Sequence, residues 1–246
     1  MDQASIRSSE GNPQKTFSPG RRKLLTLTPA ILLAGCNYSA GDKLQPLLLG
    51  VQKINDWVQE KVFDPGKLAP EYDDDKVTPV NGFRVNDYDT DEPDIDLAHW
   101  SLRVEGLVAH AGAYALEQIT ALPKQTKNLR HCCVEGWSMV PKWGGASMRE
   151  FMKLAGADLN AKYVKVECGD DYYTSYDMRS VLHPQTLLAY EAYNKPLSLQ
   201  HGAPVRIVMP TKLGYKSAKW ISRIIVTNDR PGGYWEDQGY DWFAGL

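Results

Sequence analysis

Arg130-His131-Cys132-Cys133-Val134-Glu135-Gly136-Trp137-Ser138 lies near the middle of a 246-residue chain and holds two of its four cysteines. Neither has a CxxC companion, and one thiolate cannot by itself build the four-ligand site of structural zinc. A soft thiolate at Cys133 can still serve a transition metal whose other ligands are sulfur atoms of an organic cofactor. Arg130 and His131 are expected to lower the thiol pKa and favour the thiolate. Glu135 and Trp137 would set a carboxylate and a large aromatic wall beside it. The plain alternative for any single cysteine is a buried, inert thiol.

Working outward, a basic and glycine-interrupted region follows: His201-Gly202-Ala203-Pro204-Val205-Arg206, then Gly214-Tyr215-Lys216-Ser217-Ala218-Lys219-Trp220. Backbone amides at Gly214 and Ser217, joined by Lys219, would suit a phosphate. Arg206, Lys212, Lys216, Lys219 and Arg223, taken singly, read equally well as surface charge. With no GxGxxG fingerprint and no Walker sequence, nucleotide binding has no support. Pairing of Cys133 with His183 or His201 would make a thiol hydrolase, but no local signature of that chemistry is present.

The N-terminus reads as a leader. Arg21-Arg22-Lys23 runs into Leu24-Leu25-Thr26-Leu27-Thr28-Pro29-Ala30-Ile31-Leu32-Leu33, too short to cross ~30 Å of hydrocarbon. Paired arginines before leucines resemble a twin-arginine export signal, a route for proteins already folded around a cofactor. Leu33-Ala34-Gly35-Cys36 resembles the lipobox of bacterial lipoproteins, so Cys36 is expected to be lipidated and to tether the chain to a membrane surface. Location is therefore expected to be periplasmic or extracytoplasmic. The three remaining cysteines, Cys132, Cys133 and Cys168, do not make a disulfide scaffold. A net charge of −2 gives no reason to expect nucleic acid.

Organisation follows from periodicity. Leu44 to about Phe63 predicts a helix with Leu44, Leu47, Leu48, Val51, Ile54, Val58 and Val62 on one stripe, stopped by Asp64-Pro65-Gly66. Residues 64–97 predict an extended wrap, with Glu71-Tyr72-Asp73-Asp74-Asp75 as a solvated surface. Leu102, Val104 and Leu107 predict a strand and turn; Tyr163–Cys168, Val205–Met209 and Ile221–Thr227 alternate as strands. Ser147 and Glu150 predict a capping box for a helix running through Leu154 and ending at Gly156. Strands and helices mix without a βαβ rhythm, so the class is α+β. The expected division is a leader at 1–35, a tether and helix at 36–80, and a domain at 81–246.

These blocks resemble the molybdopterin-binding domain of the sulfite oxidase family, from about Asn81 to Trp235. Cys133-Val134-Glu135-Gly136-Trp137-Ser138-Met139-Val140 is similar to the cysteine loop of its periplasmic protein-methionine-sulfoxide reductase branch. Leu188-Ala189-Tyr190-Glu191, His201-Gly202 with Pro204-Val205-Arg206, and Gly214 with Ser217, Lys219, Trp220 and Ile221 are similar to further blocks. The resemblance implies a sulfite oxidase-like fold of mixed sheets with short helices, and a molybdenum–molybdopterin cofactor. It implies Cys133 as the metal ligand, with His201, Arg206, Ser217, Ala218 and Lys219 on the pterin and its phosphate, and Asn81 and Phe83 on an N-terminal loop. Cys168 stands where the reductase branch has Thr, and His201 where that branch has Asn.

The implied activity is oxygen-atom transfer, reducing a small or protein-bound sulfoxide with electrons from a separate membrane haem or cytochrome partner. Glu135, Trp137 and Tyr215 are the residues expected to shape the pocket. The alternatives are dehydrogenation of sulfite or a related sulfur compound, and a non-catalytic lipoprotein of the same fold. Sulfite oxidisers follow their cysteine with an arginine-rich loop, and a carboxylate at Glu135 would repel a dianion.

Overall fold

A computed structural model describes residues 45–86 and 92–246. The expected leader, Cys36 and Leu44 lie outside the described residues. The chain divides into two units, Met1–Leu48 and Leu49–Leu246, and only the first turn of one helix is described in the former.

That helix, α1 (Gln45–Val62), falls within the span expected from Leu44 to about Phe63, and its apolar stripe meets solvent. Val51, Ile54, Val58 and Val62 are exposed, as are Leu47 and Leu48, while Asp56 is only 3% exposed. Polar side chains make the inward contacts. Asp56 accepts from Arg230 at 2.7 Å and from the Phe243 amide at 3.2 Å. The Gly245 amide donates to Gln59 at 3.0 Å, and Gln52 donates to the Tyr240 carbonyl at 2.7 Å. Periodicity locates an apolar face; it does not say which medium that face meets.

The acidic run is also more engaged than a solvated surface. Glu71 accepts from Lys127 at 2.6 Å and from Gln185 at 3.0 Å. Asp74 accepts from Lys142 at 2.9 Å and from Asn128 at 2.8 Å, which holds its carboxyl below the usual range. These partners staple the wrap onto a sheet.

Two sheets carry the larger unit. In the first, β1 (Ser101–Gly106) pairs antiparallel with β2 (Gly112–Ala115) and parallel with β12 (Ile221–Thr227). Then β12 pairs antiparallel with β7 (Tyr163–Cys168), and β7 with β8 (Tyr173–Asp177). The alternation seen in Tyr163–Cys168 becomes alternate burial along β7, as a half-buried strand requires. The second sheet joins β3 (Lys124–Asn128), β6 (Lys142–Ser147), β9 (Leu187–Ala192) and β10 (Lys195–Pro196), with β11 (Arg206–Val208) on the other edge of β9. A two-stranded ribbon, β4 (His131–Cys132) with β5 (Ser138–Met139), belongs to neither.

Short helices α2 (Leu116–Thr120), α3 (Met148–Leu154) and α4 (Met178–Val181) complete the mixed α+β architecture. Ser147 precedes α3 as expected, but its side chain makes no capping bond, and Glu150 pairs with Lys153 at 2.8 Å instead. Met148, Phe151 and Met152 of α3 are fully buried with Leu102, Val166 and Ile224. Each such side chain contributes about 1.5–3 kcal/mol by leaving water. A second cluster, including Leu129, Trp143, Leu187 and Val208, packs against Phe83 and backs the site.

Candidate cofactor site

The loop between β4 and β5 is a tight turn. The Cys133 amide donates to the Trp137 carbonyl at 2.9 Å, and the Gly136 amide to the Cys133 carbonyl at 3.2 Å. This closure points the Cys133 thiol, 8% exposed, at a cavity of about 320 Å³. Asn86 Nδ2 donates toward its Sγ at 3.6 Å, and the thiol faces Glu135 Oε2 at 3.8 Å. The Trp137 indole holds that same carboxylate oxygen at 2.8 Å, and the Arg84 guanidinium lies 5.3 Å from the Trp137 ring.

The electrostatics reverse the expected activation of the thiol. Burial pushes the Cys133 pKa up, and the Glu135 charge adds to the rise. His131 cannot counter this, because burial, reinforced by Arg206, pulls its pKa down to about 3. Its ring is neutral near pH 7. Arg130 is solvent-exposed, where its charge is screened. A bound metal would displace the thiol proton, so ligation rather than the side chains supplies the thiolate.

The facing wall comes from 199–220. Leu199–His201 form a short 3₁₀ turn ended by Gly202 at φ +98°. A Cβ there would come within 2.9 Å of Lys219 Cβ, so only glycine admits both the backbone sign and the neighbour. The turn holds His201, whose Nδ1 meets Ser198 Oγ at 2.7 Å and whose ring stacks on Phe83 at 3.7 Å. Arg206 donates to the His201 and Ser217 carbonyls at 2.9 and 3.0 Å, tying the two loops together. Gly214 lets His131 approach: an added Cβ would lie 2.8 Å from His131 Nε2.

Cys133, Glu135, Trp137, His201, Arg206, Tyr215, Ser217, Ala218 and Lys219 thus line one cavity. Phe83 stands one layer behind, under His201. Asn81 lies in the turn Val80–Gly82 and is not among the lining residues. Cys168 is 7% exposed within the main core and faces a separate recess with Glu167 and Tyr173. The Tyr215 hydroxyl donates to the Asp241 carbonyl at 2.6 Å, so donation elsewhere would require that bond to break. Lys212 and Lys216 are neither surface charges nor cavity groups: both are buried and ion-paired, with Asp177 and Glu236. Arg223 pairs with Glu167 at 3.0 Å.

Sequence reading missed Arg84, Asn86, Trp235 and Tyr240, which line the cavity together with His131. Arg84 and Asn86 lie within three residues of Phe83, so the N-terminal loop was located but these residues of it were not. The C-terminal aromatics carry no local signal. Among the described residues no group of three or more His, Cys, Asp or Glu is placed to hold a metal ion.

The family described as the oxidoreductase molybdopterin binding domain matches residues 89–235. The chain is 44% identical to the putative protein-methionine-sulfoxide reductase subunit YedZ1 of Azospira oryzae, over 92% of this chain and 88% of that protein. It is 30% identical to the protein-methionine-sulfoxide reductase catalytic subunit MsrP of Xanthomonas axonopodis pv. citri, over 96% of this chain and 78% of the relative. Among solved structures it is similar to the sulfane dehydrogenase SoxCD from Paracoccus pantotrophus, with a TM-score of 0.58 and 20% identity. That likeness covers 68% of this chain and 46% of the other, and at this identity it speaks for the fold alone.

Proposed function

The chain belongs to the oxidoreductase molybdopterin-binding domain family, and from that premise we propose that it is the catalytic subunit of an exported sulfoxide reductase. The observation that carries the reading is the Cys133 thiol on the wall of a cavity shared with Arg206, Ser217 and Lys219. A soft ligand beside hydroxyl and cationic groups fits a cofactor that combines a sulfur-bound metal with a phosphate. When bound, the molybdenum–molybdopterin group supplies two-electron redox chemistry.

The protein's part is binding and orientation. Cys133 would ligate the metal, with the Asn86 amide positioned to donate to its sulfur. His201, fixed by Ser198 and Phe83, would orient the pterin, with Ser217, Ala218 and Lys219 on the phosphate. Glu135, held by Trp137, places a carboxylate by the reacting side of the cavity and disfavours an anionic substrate. A sulfoxide is neutral. Its reduction consumes two electrons and two protons and releases a thioether and water. The names of the relatives point to methionine sulfoxide within a protein as the substrate.

The further proposals rest on the sequence. Arg21-Arg22 would direct twin-arginine export, Cys36 would carry lipid on the periplasmic side, and a membrane haem protein would supply electrons. A second reading, oxidation of sulfite or a related anion, is favoured by one observation: Arg84 and Arg206 line the same cavity. Two assays separate them. Purified protein containing about one molybdenum per chain should reduce methionine sulfoxide with a reduced viologen donor, and Cys133→Ser should stay folded and lose turnover. Sulfite oxidation with an artificial acceptor, in the absence of sulfoxide reduction, would overturn the first reading.

A further inference from the structure

The outward face of α1 is unlike any other described surface of the chain. Val51, Ile54, Trp57, Val58 and Val62 are 46, 62, 59, 43 and 74% exposed, and no other described segment of the larger unit leaves so many large apolar side chains in water. Contiguous apolar surface of this kind marks an interaction site. The charges on the helix differ in exposure by sign. Its acids are the less exposed: Asp56 is buried on Arg230, and the half-buried Glu60 lies 3.7 Å from the same guanidinium. The charged residues left exposed are Lys53 and Lys61, both basic.

From this face we infer that α1 lies on an anionic phospholipid surface, with its valines and Ile54 in the acyl boundary and its lysines among the headgroups. An interfacial helix of this type combines an apolar stripe, flanking lysines and a tryptophan, and sinks about 5–10 Å into the interface. Lysines near an anionic leaflet add attraction that salt weakens. A second copy is a poorer occupant: pairing this face with itself brings lysines together and offers no exposed acid on the helix to answer them. Chain length fits as well. Eight residues separate Cys36 from Gln45, a reach of at most about 30 Å when extended. The inference does not depend on the reaction proposed above, and it would stand without lipid on Cys36.

The test uses the full chain with its cofactor and vesicles of phosphatidylcholine with or without phosphatidylglycerol, made with bromine-labelled acyl chains. Bromine quenches only tryptophans that enter the membrane, so the difference between the native chain and Trp57→Phe isolates Trp57. Quenching dependent on Trp57 is expected with phosphatidylglycerol. It should fall at least tenfold in Ile54→Asp/Val58→Asp and weaken in Lys53→Gln/Lys61→Gln. Both pairs of substitutions are on exposed positions, so molybdenum content and sulfoxide turnover should be unchanged. Vesicle-bound protein without Trp57-dependent quenching would overturn the inference. So would a dimer in light scattering that Ile54→Asp/Val58→Asp dissolves. Loss of turnover alone would instead count against the proposed reaction.

Discussion

Removing the charge of Glu236 should destabilise the protein far more than a surface change, because it strands an ammonium in the core. Lys216 and Glu236 have side chains only 1 and 3% exposed and form a close ion pair. Lys216 Nζ also donates to the Ser175 carbonyl at 2.9 Å, and Thr174 Oγ1 donates to the Glu236 carboxylate at 2.7 Å. Burial pulls the Lys216 pKa down and the Glu236 charge pushes it back up, so the ammonium is kept largely by its partner. Breaking a buried pair from one side costs about 3–5 kcal/mol. For a chain of this size each kcal/mol moves Tm by roughly 2–4 °C, so Glu236→Gln should lower it by ~6–20 °C. Lys216→Met/Glu236→Leu removes both charges and should recover most of that loss. Because Lys216 immediately precedes Ser217-Ala218-Lys219, the single variant should also retain less molybdenum. Calorimetry and metal analysis on the three variants read out both effects. A shift under 2 °C for Glu236→Gln, or a double variant worse than the single, would refute the reasoning.

Gly202→Ala should lower both stability and molybdenum content. It forces a side chain into φ +98° and against Lys219 and Arg206, a cost of at least ~1 kcal/mol, measurable by calorimetry and metal analysis. Lys212 is a pH reporter. Burial outweighs Asp177 and holds its folded pKa at about 7, below its ordinary 10.5. The unfolded chain therefore binds more protons between these values, so stability rises with pH from about 7 toward 10.5 and the penalty is constant below that window. Between pH 7 and 9.5 the native chain should gain roughly 3 kcal/mol relative to Lys212→Met, at ~1.4 kcal/mol per pH unit. Parallel stability–pH curves for the two proteins would contradict this.

Much of the site was legible because its chemistry is local. Cys133 and Trp137 sit on one turn, and Ser217, Ala218 and Lys219 are consecutive, so neighbours in sequence are neighbours at the cavity. Strand β7 was legible through alternation, since one side of it meets the core and the other does not. What failed needed three dimensions. The buried face of α1 is polar because partners from the C-terminal segment satisfy it, and no periodicity shows those partners. His131 reads as a cation beside a thiol, yet burial leaves it neutral. Lys212 and Lys216 look like the basic residues of a phosphate loop and prove to be core ion pairs. Asn86, Trp235 and Tyr240 reach the cavity from loops whose sequences carry no pattern.

The segment from Arg230 to Gly245 touches two things at once. Its Trp235 and Tyr240 form part of the cavity lining, while Arg230, Phe243 and Gly245 grip Asp56 and Gln59 of α1. Sixteen residues of covalent chain thus couple the lining of the cavity to the underside of the helix. A pull or tilt imposed on α1 from outside has a short mechanical route to the aromatic side of the cavity.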